Sequence, residues 1–332
     1  MNSLAIVGAG SWGTALSIVL APRFPDIRLW VFEPEVADAI CSIRENSTYL
    51  PGFPIPSNVV STNDLAEAME GAEIVLSVMP SHSVRHLYEN MAPLLREDTI
   101  LVSATKGLER DTLLRPSEII EQVLRPRFAP QIAVLSGPTF AREVARLDPT
   151  ALVVASCSEA IAQCVQAAFA GPSFRLYRNS DPVGVEIGGS IKNVVAIGAG
   201  VLHGLGFGHN AMAALITRGL AEMTRLAVAL GAQAKTLSGL AGLGDLVLTC
   251  TGELSRNRSV GIELARGRTL PEIVNSMKMV AEGINTTGAA VELAKRCSVE
   301  MPIAERMYEM LHFGVPPREA VRRLMERSLK GE

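Results

Sequence analysis

Short apolar runs alternate with amphipathic segments through the first half of the chain. The runs have the length and apolar character of buried strands, whereas the segments between them place apolar residues at helical spacing. The predicted strands span residues 4–7, 27–31, 74–79, 100–103, 132–135, 150–155 and 174–177. The predicted helices span residues 14–20, 35–40, 64–69, 84–91, 116–124 and 158–169. Repeated strand–helix units of this kind form a parallel sheet with helices on both faces.

The pattern changes near residue 180. Asp181 and Pro182 are typical of an N-cap followed by the first residue of a helix. Beyond them the strand pattern almost disappears, and helices are predicted over residues 183–202, 211–230, 260–266, 287–296, 303–313 and 318–329. The sequence therefore predicts an α/β domain over residues 1–180 and an all-helical domain over residues 181–332.

Composition narrows the possible functions. The 332 residues are 48% hydrophobic, and the 31 Lys and Arg nearly balance the 34 Asp and Glu, which gives a net charge of −3. A broad field for binding nucleic acid or membranes is therefore not expected, and any anion site must be local. A long stretch without a formal charge, residues 194–217, contains five glycines and two histidines, so no membrane insertion is expected. Five cysteines without C-x-x-C spacing and an N-terminus without a basic leader favour a reduced, cytoplasmic protein.

Gly8, Gly10 and Gly13 form a G-x-G-x-x-G pattern between the first predicted strand and the first predicted helix. In that context the first glycine permits a tight turn, and the second lets the backbone approach a pyrophosphate. The third lets the helix pack closely on the sheet, while the helix N-terminus attracts the anion. Because the chain has 28 glycines, the pattern alone is weak. Its position after a strand favours a dinucleotide site over a purely structural turn.

Glu33 lies just past the second predicted strand, about 20 residues beyond the glycine pattern. A carboxylate at this place accepts hydrogen bonds from ribose hydroxyls and repels a 2′-phosphate. We therefore expect a preference for NAD over NADP. The alternative is a solvated glutamate that starts a helix.

Lys192 lies on a face of small residues in the predicted helix 183–202. Its neighbours on that face are Gly188, Gly189, Ala196 and Gly200. A long cation among small side chains is unusual for a solvated surface, so we expect it to point into a cleft and to serve as an acid–base group. The alternative is a surface lysine that extends past a helix packing seam.

Two more segments of the helical half carry candidates. Ser255, Arg256 and Asn257 precede a predicted helix, and arginine with small polar groups before a helix N-terminus is suited to binding phosphate. The alternative is a capped surface loop. Asp245 ends a glycine-rich turn over residues 239–244. It could accept a hydrogen bond from a substrate hydroxyl, orient a lysine, or be an ordinary turn residue.

Two loops of the first half follow predicted strands at the edge where open α/β sheets bind ligands. Lys106 lies in the first, residues 103–107, and Gly137 and Thr139 lie in the second, residues 136–141. We expect both on the same rim as the glycine pattern, although either could be merely structural. His82 and His86 are four residues apart without a nearby third ligand, so we expect a solvated helix face and no metal site.

Taken together, these segments resemble the bacterial NAD(P)-dependent glycerol-3-phosphate dehydrogenases over nearly the whole chain. The stretches that carry the resemblance are 8–13 (GAGSWG), 104–108 (ATKGL), 135–141 (LSGPTFA), 186–193 (EIGGSIKN), 239–245 (GLAGLGD), 255–258 (SRNR) and 282–283 (EG).

The resemblance implies a Rossmann-like doubly wound sheet followed by an all-helical substrate domain, with NAD or NADP as cofactor. It implies interconversion of sn-glycerol 3-phosphate and dihydroxyacetone phosphate for glycerophospholipid synthesis, in a cytoplasmic homodimer, with Lys192 as proton acceptor. The implied substrate contacts are Lys106, Gly137, Thr139, Lys192, Asp245, Ser255, Arg256 and Asn257. The implied cofactor contacts are Ser11, Trp12, Lys106, Ala141, Arg256, Val280 and Glu282.

One position departs from the family pattern. Phe32 and Glu33 stand where many members have Arg or His, which suit a 2′-phosphate, so NAD is again the expected cofactor. Two alternatives stay open: another two-domain β-hydroxyacid dehydrogenase that acts on a carboxylate, and a non-catalytic dinucleotide sensor. The presence of Lys106, Lys192 and Asp245 argues against the sensor.

Overall fold

The computed structural model describes residues 1–277, 281–328 and 331. Two compact units are present. We call Met1–Lys106 together with Leu114–Glu186 the sheet unit, and Gly107–Leu113 together with Ile187–Glu332 the helical unit. The chain enters the helical unit shortly after residue 180, and the assignment of Gly107–Leu113 to that unit has no counterpart in the sequence pattern. The separate roles expected for residues 1–180 and 181–332 stay a prediction.

The sheet unit contains one eight-stranded sheet in the order β3-β2-β1-β4-β5-β6-β7-β8. The strands are β1 Ser3–Val7, β2 Asp26–Trp30, β3 Val59–Thr62, β4 Ile74–Ser77, β5 Ile100–Ser103, β6 Gln131–Ser136, β7 Thr150–Ala155 and β8 Phe174–Asn179. Adjacent strands are parallel except β6 and β7, which are antiparallel. The doubly wound sheet is confirmed, but the expectation of a wholly parallel sheet is wrong at this pair. Residues 137–149 connect β6 directly to its neighbour β7, and the chain reverses direction between the two strands.

Helices cover both faces of the sheet. They are α1 Ser11–Leu20, α2 Pro34–Ile43, α3 Leu65–Met69, α4 Val84–Met91, α5 Pro116–Leu124, α6 Ala141–Ala145 and α7 Glu159–Phe169. Alternate residues of β1 enter opposite cores, since Leu4 and Ile6 pack on one side and Ala5 and Val7 on the other. Because β1, β4, β5 and β6 are parallel neighbours, their carboxyl ends lie along one edge of the sheet.

The described part of the helical unit contains helices and connecting segments but no strand. Its helices are α8 Pro182–Gly204, whose first residues belong to the sheet unit, α9 His209–Ala229, α10 Ala234–Leu237, α11 Asp245–Thr251, α12 Arg256–Ala265, α13 Leu270–Ser276, α14 Glu282–Arg296, α15 Pro302–Phe313 and α16 Pro317–Met325. The all-helical prediction is confirmed for these residues. The predicted end of the last helix, residue 329, lies outside the described residues.

Helices α8 and α12 pack backbone to backbone. A Cβ at Gly200 would lie 1.9 Å from the carbonyl oxygen of Arg258, and a Cβ at Gly261 would lie 1.9 Å from that of Ile197. Side chains are excluded from this crossing, so the glycines fix the distance between the helices. By length and composition α8 could cross a membrane, but its apolar window is entirely buried within the protein.

Candidate active site

The turn from β1 to α1 has the shape that a dinucleotide phosphate group requires. Gly8 has a φ of +116°, and a Cβ there would lie 2.4 Å from the carbonyl oxygen of Val78. A Cβ at Gly13 would lie 1.8 Å from the carbonyl oxygen of Gly8, so the helix packs directly against the turn. Gly10, in contrast, faces open space and caps α1 without a side chain, which leaves room for a phosphate at the N-terminus that starts with Ser11.

Trp12 offers a second sign of a ligand at this turn. Its ring is half-buried, and its indole N–H is enclosed without a hydrogen-bond partner in the described part of the chain. Buried donors are nearly always paired, so an orphaned one beside a phosphate cradle fits a bound group. The predicted cofactor residues at this turn therefore fit a dinucleotide.

Glu33 lies between the end of β2 and the start of α2. Its Oε1 atom accepts a hydrogen bond of 2.6 Å from the hydroxyl of Tyr49. This bond, with burial, raises the pKa of Tyr49 to about 12, so the hydroxyl remains a donor well above neutral pH. Glu33 does precede a helix, but it is held by a tyrosine that the sequence pattern did not single out.

The loops after β5 and β6 bring three predicted substrate residues together. Lys106 Nζ donates to the carbonyl oxygen of Gly137 at 3.3 Å, and Thr139 Oγ1 donates to the same oxygen at 3.2 Å. Gly137 has a φ of +151°, and a Cβ there would lie 2.8 Å from the Cβ of Leu152. These loops and the glycine turn follow parallel strands at one edge of the sheet, as expected, and Ala141 begins α6 close by.

Lys192 is buried in the helical unit and ion-paired. Its exposed fraction is only 6%, and its ammonium donates to Asp245 Oδ1 and, at 2.8 Å, to Thr249 Oγ1. Thr249 in turn donates to the carbonyl oxygen of Asp245 at 2.6 Å. The alternative of a surface lysine is wrong, and Asp245 is one of its partners rather than an ordinary turn residue.

Small residues bring Asp245 to the lysine. A Cβ at Gly188 of α8 would lie 2.5 Å from the carbonyl oxygen of Ala241, in the turn before α11. That turn, Leu240–Gly244, is a π-helical segment, a geometry often found at functional sites. In α11, burial raises the pKa of the Cys250 thiol to about 12, which makes the thiol inert.

The predicted phosphate segment starts α12. The Ser255 side chain caps the helix by accepting from the Arg258 main-chain N–H at 3.2 Å, and Arg256 is exposed in the first turn. The Asn257 amide is engaged inside the protein, since Nδ2 donates to Asn193 Oδ1 at 3.0 Å and Oδ1 accepts from the Gly283 N–H at 2.9 Å. Two of the hydrogen bonds that the Asn257 amide can make are thus used inside the protein.

The remaining predicted residues are distributed as follows. Glu282 begins α14 and acts electrostatically on Arg256, whereas Val280 lies outside the described residues. Within the described residues no group of three or more His, Cys, Asp or Glu side chains is placed to hold a metal ion. His82 precedes α4 and His86 lies within it, hydrogen-bonded to Asn90, so the two do not share one α-helix.

Both halves of the chain match one protein family. The model of the NAD-dependent glycerol-3-phosphate dehydrogenase N-terminus matches residues 3–162, and the model of the C-terminus of the same enzyme matches residues 181–322. The chain belongs to the NAD-dependent glycerol-3-phosphate dehydrogenase family. The predicted family, fold class and enzyme class are thereby confirmed.

Relatives within this dehydrogenase family match from end to end. The glycerol-3-phosphate dehydrogenase (NAD(P)+) of Geobacter sp. (strain M21) is 56% identical over 331 residues, which cover 100% of this chain and 99% of the relative. That of Koribacter versatilis (strain Ellin345) is 55% identical and covers 98% of each chain. The crystal structure of glycerol-3-phosphate dehydrogenase from Coxiella burnetii has a TM-score of 0.94 at 40% identity, over 98% of this chain and 99% of that one.

Proposed function

We propose that this chain catalyses the reversible NAD(P)-dependent reduction of dihydroxyacetone phosphate to sn-glycerol 3-phosphate. The observation that carries the proposal is the buried Lys192 ammonium held by Asp245 and Thr249 in a chain of this family. A buried, oriented amine is suited to exchanging a proton with a carbinol oxygen.

Lys192 is the acid–base group in this proposal. When bound, the nicotinamide supplies the hydride for reduction or takes it in oxidation. Lys192 donates its proton to the C2 oxygen during reduction and accepts the hydroxyl proton during oxidation. Asp245 and Thr249 hold the amine in one orientation, so the lysine side chain does not have to change rotamer before it transfers a proton.

Phosphate binding falls to the first turn of α12. Arg256 supplies a guanidinium, and the main-chain N–H groups that follow the Ser255 cap supply a helix N-terminus, both of which favour an anion. Asn257 contributes its main-chain N–H. Binding energy from a phosphate remote from C2 serves to orient the reacting carbon. Lys106, with Gly137 and Thr139, adds positive potential and hydrogen-bonding groups for the substrate.

The cofactor is held by the glycine turn of the sheet unit. Gly8, Gly10, Ser11, Trp12 and Gly13 form the phosphate cradle, and Ala141, Lys106, Arg256 and Glu282 are further proposed contacts. Glu33 accepts from the ribose hydroxyls and disfavours a 2′-phosphate, so we propose a preference for NAD over NADP.

The location, the oligomeric state and the metabolic role of the protein are proposed as well. We expect a cytoplasmic homodimer that supplies sn-glycerol 3-phosphate for glycerophospholipid synthesis, without membrane insertion or nucleic-acid binding. The near-neutral net charge of −3 supports the last two expectations.

The test is an assay of NADH oxidation by the purified full chain with three substrates: dihydroxyacetone phosphate, unphosphorylated dihydroxyacetone and a β-keto acid. We expect efficient turnover only with dihydroxyacetone phosphate. Preference for the β-keto acid would identify a β-hydroxyacid dehydrogenase instead. NADH binding without oxidation of any kind would identify a sensor.

A further inference from the structure

The connection from α2 to β3, residues 44–58, is braced by its own side chains. We call it the 44–58 loop. The Arg44 guanidinium donates to the carbonyl oxygens of Ile55 at 3.2 Å and Val59 at 3.0 Å. Within the loop, Glu45 Oε1 accepts from the Gly52 N–H at 3.0 Å. These bonds close the loop on itself and hold its backbone in one conformation. The side chains of the loop therefore extend from fixed positions.

Asn46 attaches this loop to the glycine turn. It is fully buried, and its Nδ2 donates to the carbonyl oxygen of Ala9 at 2.8 Å and to Thr14 Oγ1 at 2.9 Å. Its Oδ1 accepts from the main-chain N–H of Tyr49 at 3.0 Å. One side chain thus connects the residue between Gly8 and Gly10 to the backbone of Tyr49.

Tyr49 extends this connection to Glu33. Its hydroxyl donates to Oε1 of the carboxylate at 2.6 Å, and both side chains are half-buried. The hydroxyl fixes one carboxylate oxygen, which leaves Oε2 to meet another donor. A glutamate has three rotatable bonds, so a carboxylate without this bond would sample several positions.

We propose that Tyr49 is the positioning residue for cofactor selection, because it holds the Glu33 carboxylate where the ribose 2′-position must come. The inference rests on the proposed preference for NAD at Glu33. A fixed carboxylate accepts the ribose hydroxyls of NADH with less loss of side-chain entropy. It also cannot swing away from a 2′-phosphate, so the same hydrogen bond strengthens NADH binding and weakens NADPH binding.

The first test is Tyr49→Phe in the full chain, with dissociation constants for NADH and NADPH measured by nicotinamide fluorescence in the absence of substrate. Because the hydroxyl acts on NADH only by positioning Glu33, we expect part of the effect of a full hydrogen bond, that is NADH binding weaker by about 3- to 10-fold. NADPH binding should be unchanged or tighter, so the NADPH-to-NADH ratio of dissociation constants falls at least about threefold. Tyr177→Phe is the matched control, since the Tyr177 hydroxyl pairs with Arg175 on the edge strand β8. An unchanged ratio in Tyr49→Phe overturns the inference.

A double-mutant cycle separates positioning from direct contact. In a Glu33→Ala background, Tyr49→Phe should change neither dissociation constant further, because the carboxylate that it positions is gone. An equal effect in both backgrounds would mean that Tyr49 acts on the cofactor by itself, which contradicts the inference. If Glu33→Ala alone leaves the ratio unchanged, the proposed NAD preference fails. If Glu33→Ala lowers the ratio and Tyr49→Phe does not, only the role of Tyr49 is wrong.

Discussion

Lys192 is held by two groups that lie more than 50 residues further along the chain. Asp245 and Thr249 are four residues apart, so they share one face of α11 and meet the ammonium together. The glycines around Lys192 were enough to single it out, and the motif around Asp245 was enough to propose it as a partner. Thr249 was missed because α11 is too short for its periodicity to be recognised.

We expect Lys192→Ala to lower kcat at least about 100-fold, because a positioned acid–base group contributes about 10²- to 10⁴-fold. NADH binding, measured by fluorescence, should stay within about threefold, since the proposed cofactor cradle is in the sheet unit. Steady-state kinetics with dihydroxyacetone phosphate measure the first effect.

Two controls make the loss of Lys192 interpretable. Lys235→Ala removes an exposed lysine of the same unit and should leave kcat unchanged. Lys192→Arg keeps a cation beside Asp245, where an unpaired buried carboxylate would be costly, but a guanidinium does not release a proton. A nearly normal kcat in either Lys192 variant would remove Lys192 from the proposed mechanism.

Arg256→Ala should act on the phosphate rather than on the reacting carbon. A charge-assisted hydrogen bond of about 1.5–3 kcal/mol predicts a rise of about 10- to 100-fold in KM for dihydroxyacetone phosphate. Unphosphorylated dihydroxyacetone should be affected far less. Arg266→Ala, at the exposed C-terminal end of the same helix, is the matched control. Equal loss with both substrates would contradict the phosphate role.

Among the elements, every helix of ten or more residues was predicted, whereas the elements that were missed have seven residues or fewer. Helix α8, with 23 residues, was placed almost to its ends, whereas β3, α6 and α10 have five residues or fewer. Such short elements depend on tertiary contacts that the sequence pattern does not contain. The direction of β7 was missed for a similar reason, because strand direction depends on the length and path of the connection.

The close crossing of α8 and α12 predicts that a larger residue at Gly200 displaces α12. Gly200→Ala places a methyl group 1.9 Å from the backbone oxygen of Arg258, so α12 must move. Overpacking of this kind predicts a loss of about 1–3 kcal/mol in the free energy of unfolding. Because α12 begins with the proposed phosphate segment, KM for dihydroxyacetone phosphate should also rise.

Gly198→Ala is the control on the same helix. Its methyl group would meet only side-chain atoms of Met307 and Leu215 at 3.4–3.5 Å, which can yield. Alanine is also favoured over glycine within a helix by about 1 kcal/mol. Denaturant unfolding should show this variant within about 1 kcal/mol of the parent. If both variants unfold alike, the backbone contact does not determine the helix crossing.

The stability of the whole molecule depends on charges that its near-zero net charge does not reveal. Glu222 of α9 is buried, and its carboxylate accepts from the main-chain N–H groups of Ile303 at 2.8 Å and Ala304 at 3.3 Å, at the start of α15. Burial raises its pKa to about 7, although the two N–H bonds act in the opposite direction. The contact of Glu222 with the start of α15 joins residues about 80 positions apart. Local sequence patterns do not contain such a contact, so it was not predicted.

Glu222 makes stability depend on pH with a defined sign. Its pKa is higher in the folded chain than its ordinary value of 4.5, so the folded state binds the extra proton and loses this stability as pH rises from about 4.5 through 7. Glu222→Gln cannot titrate, so the parent should lose up to roughly 3 kcal/mol relative to this variant between pH 5 and pH 8. Denaturant unfolding at both pH values measures the change, with Glu253→Gln at an exposed position as control. A parent that gains stability relative to Glu222→Gln over this range would mean that the N–H bonds of α15 outweigh burial.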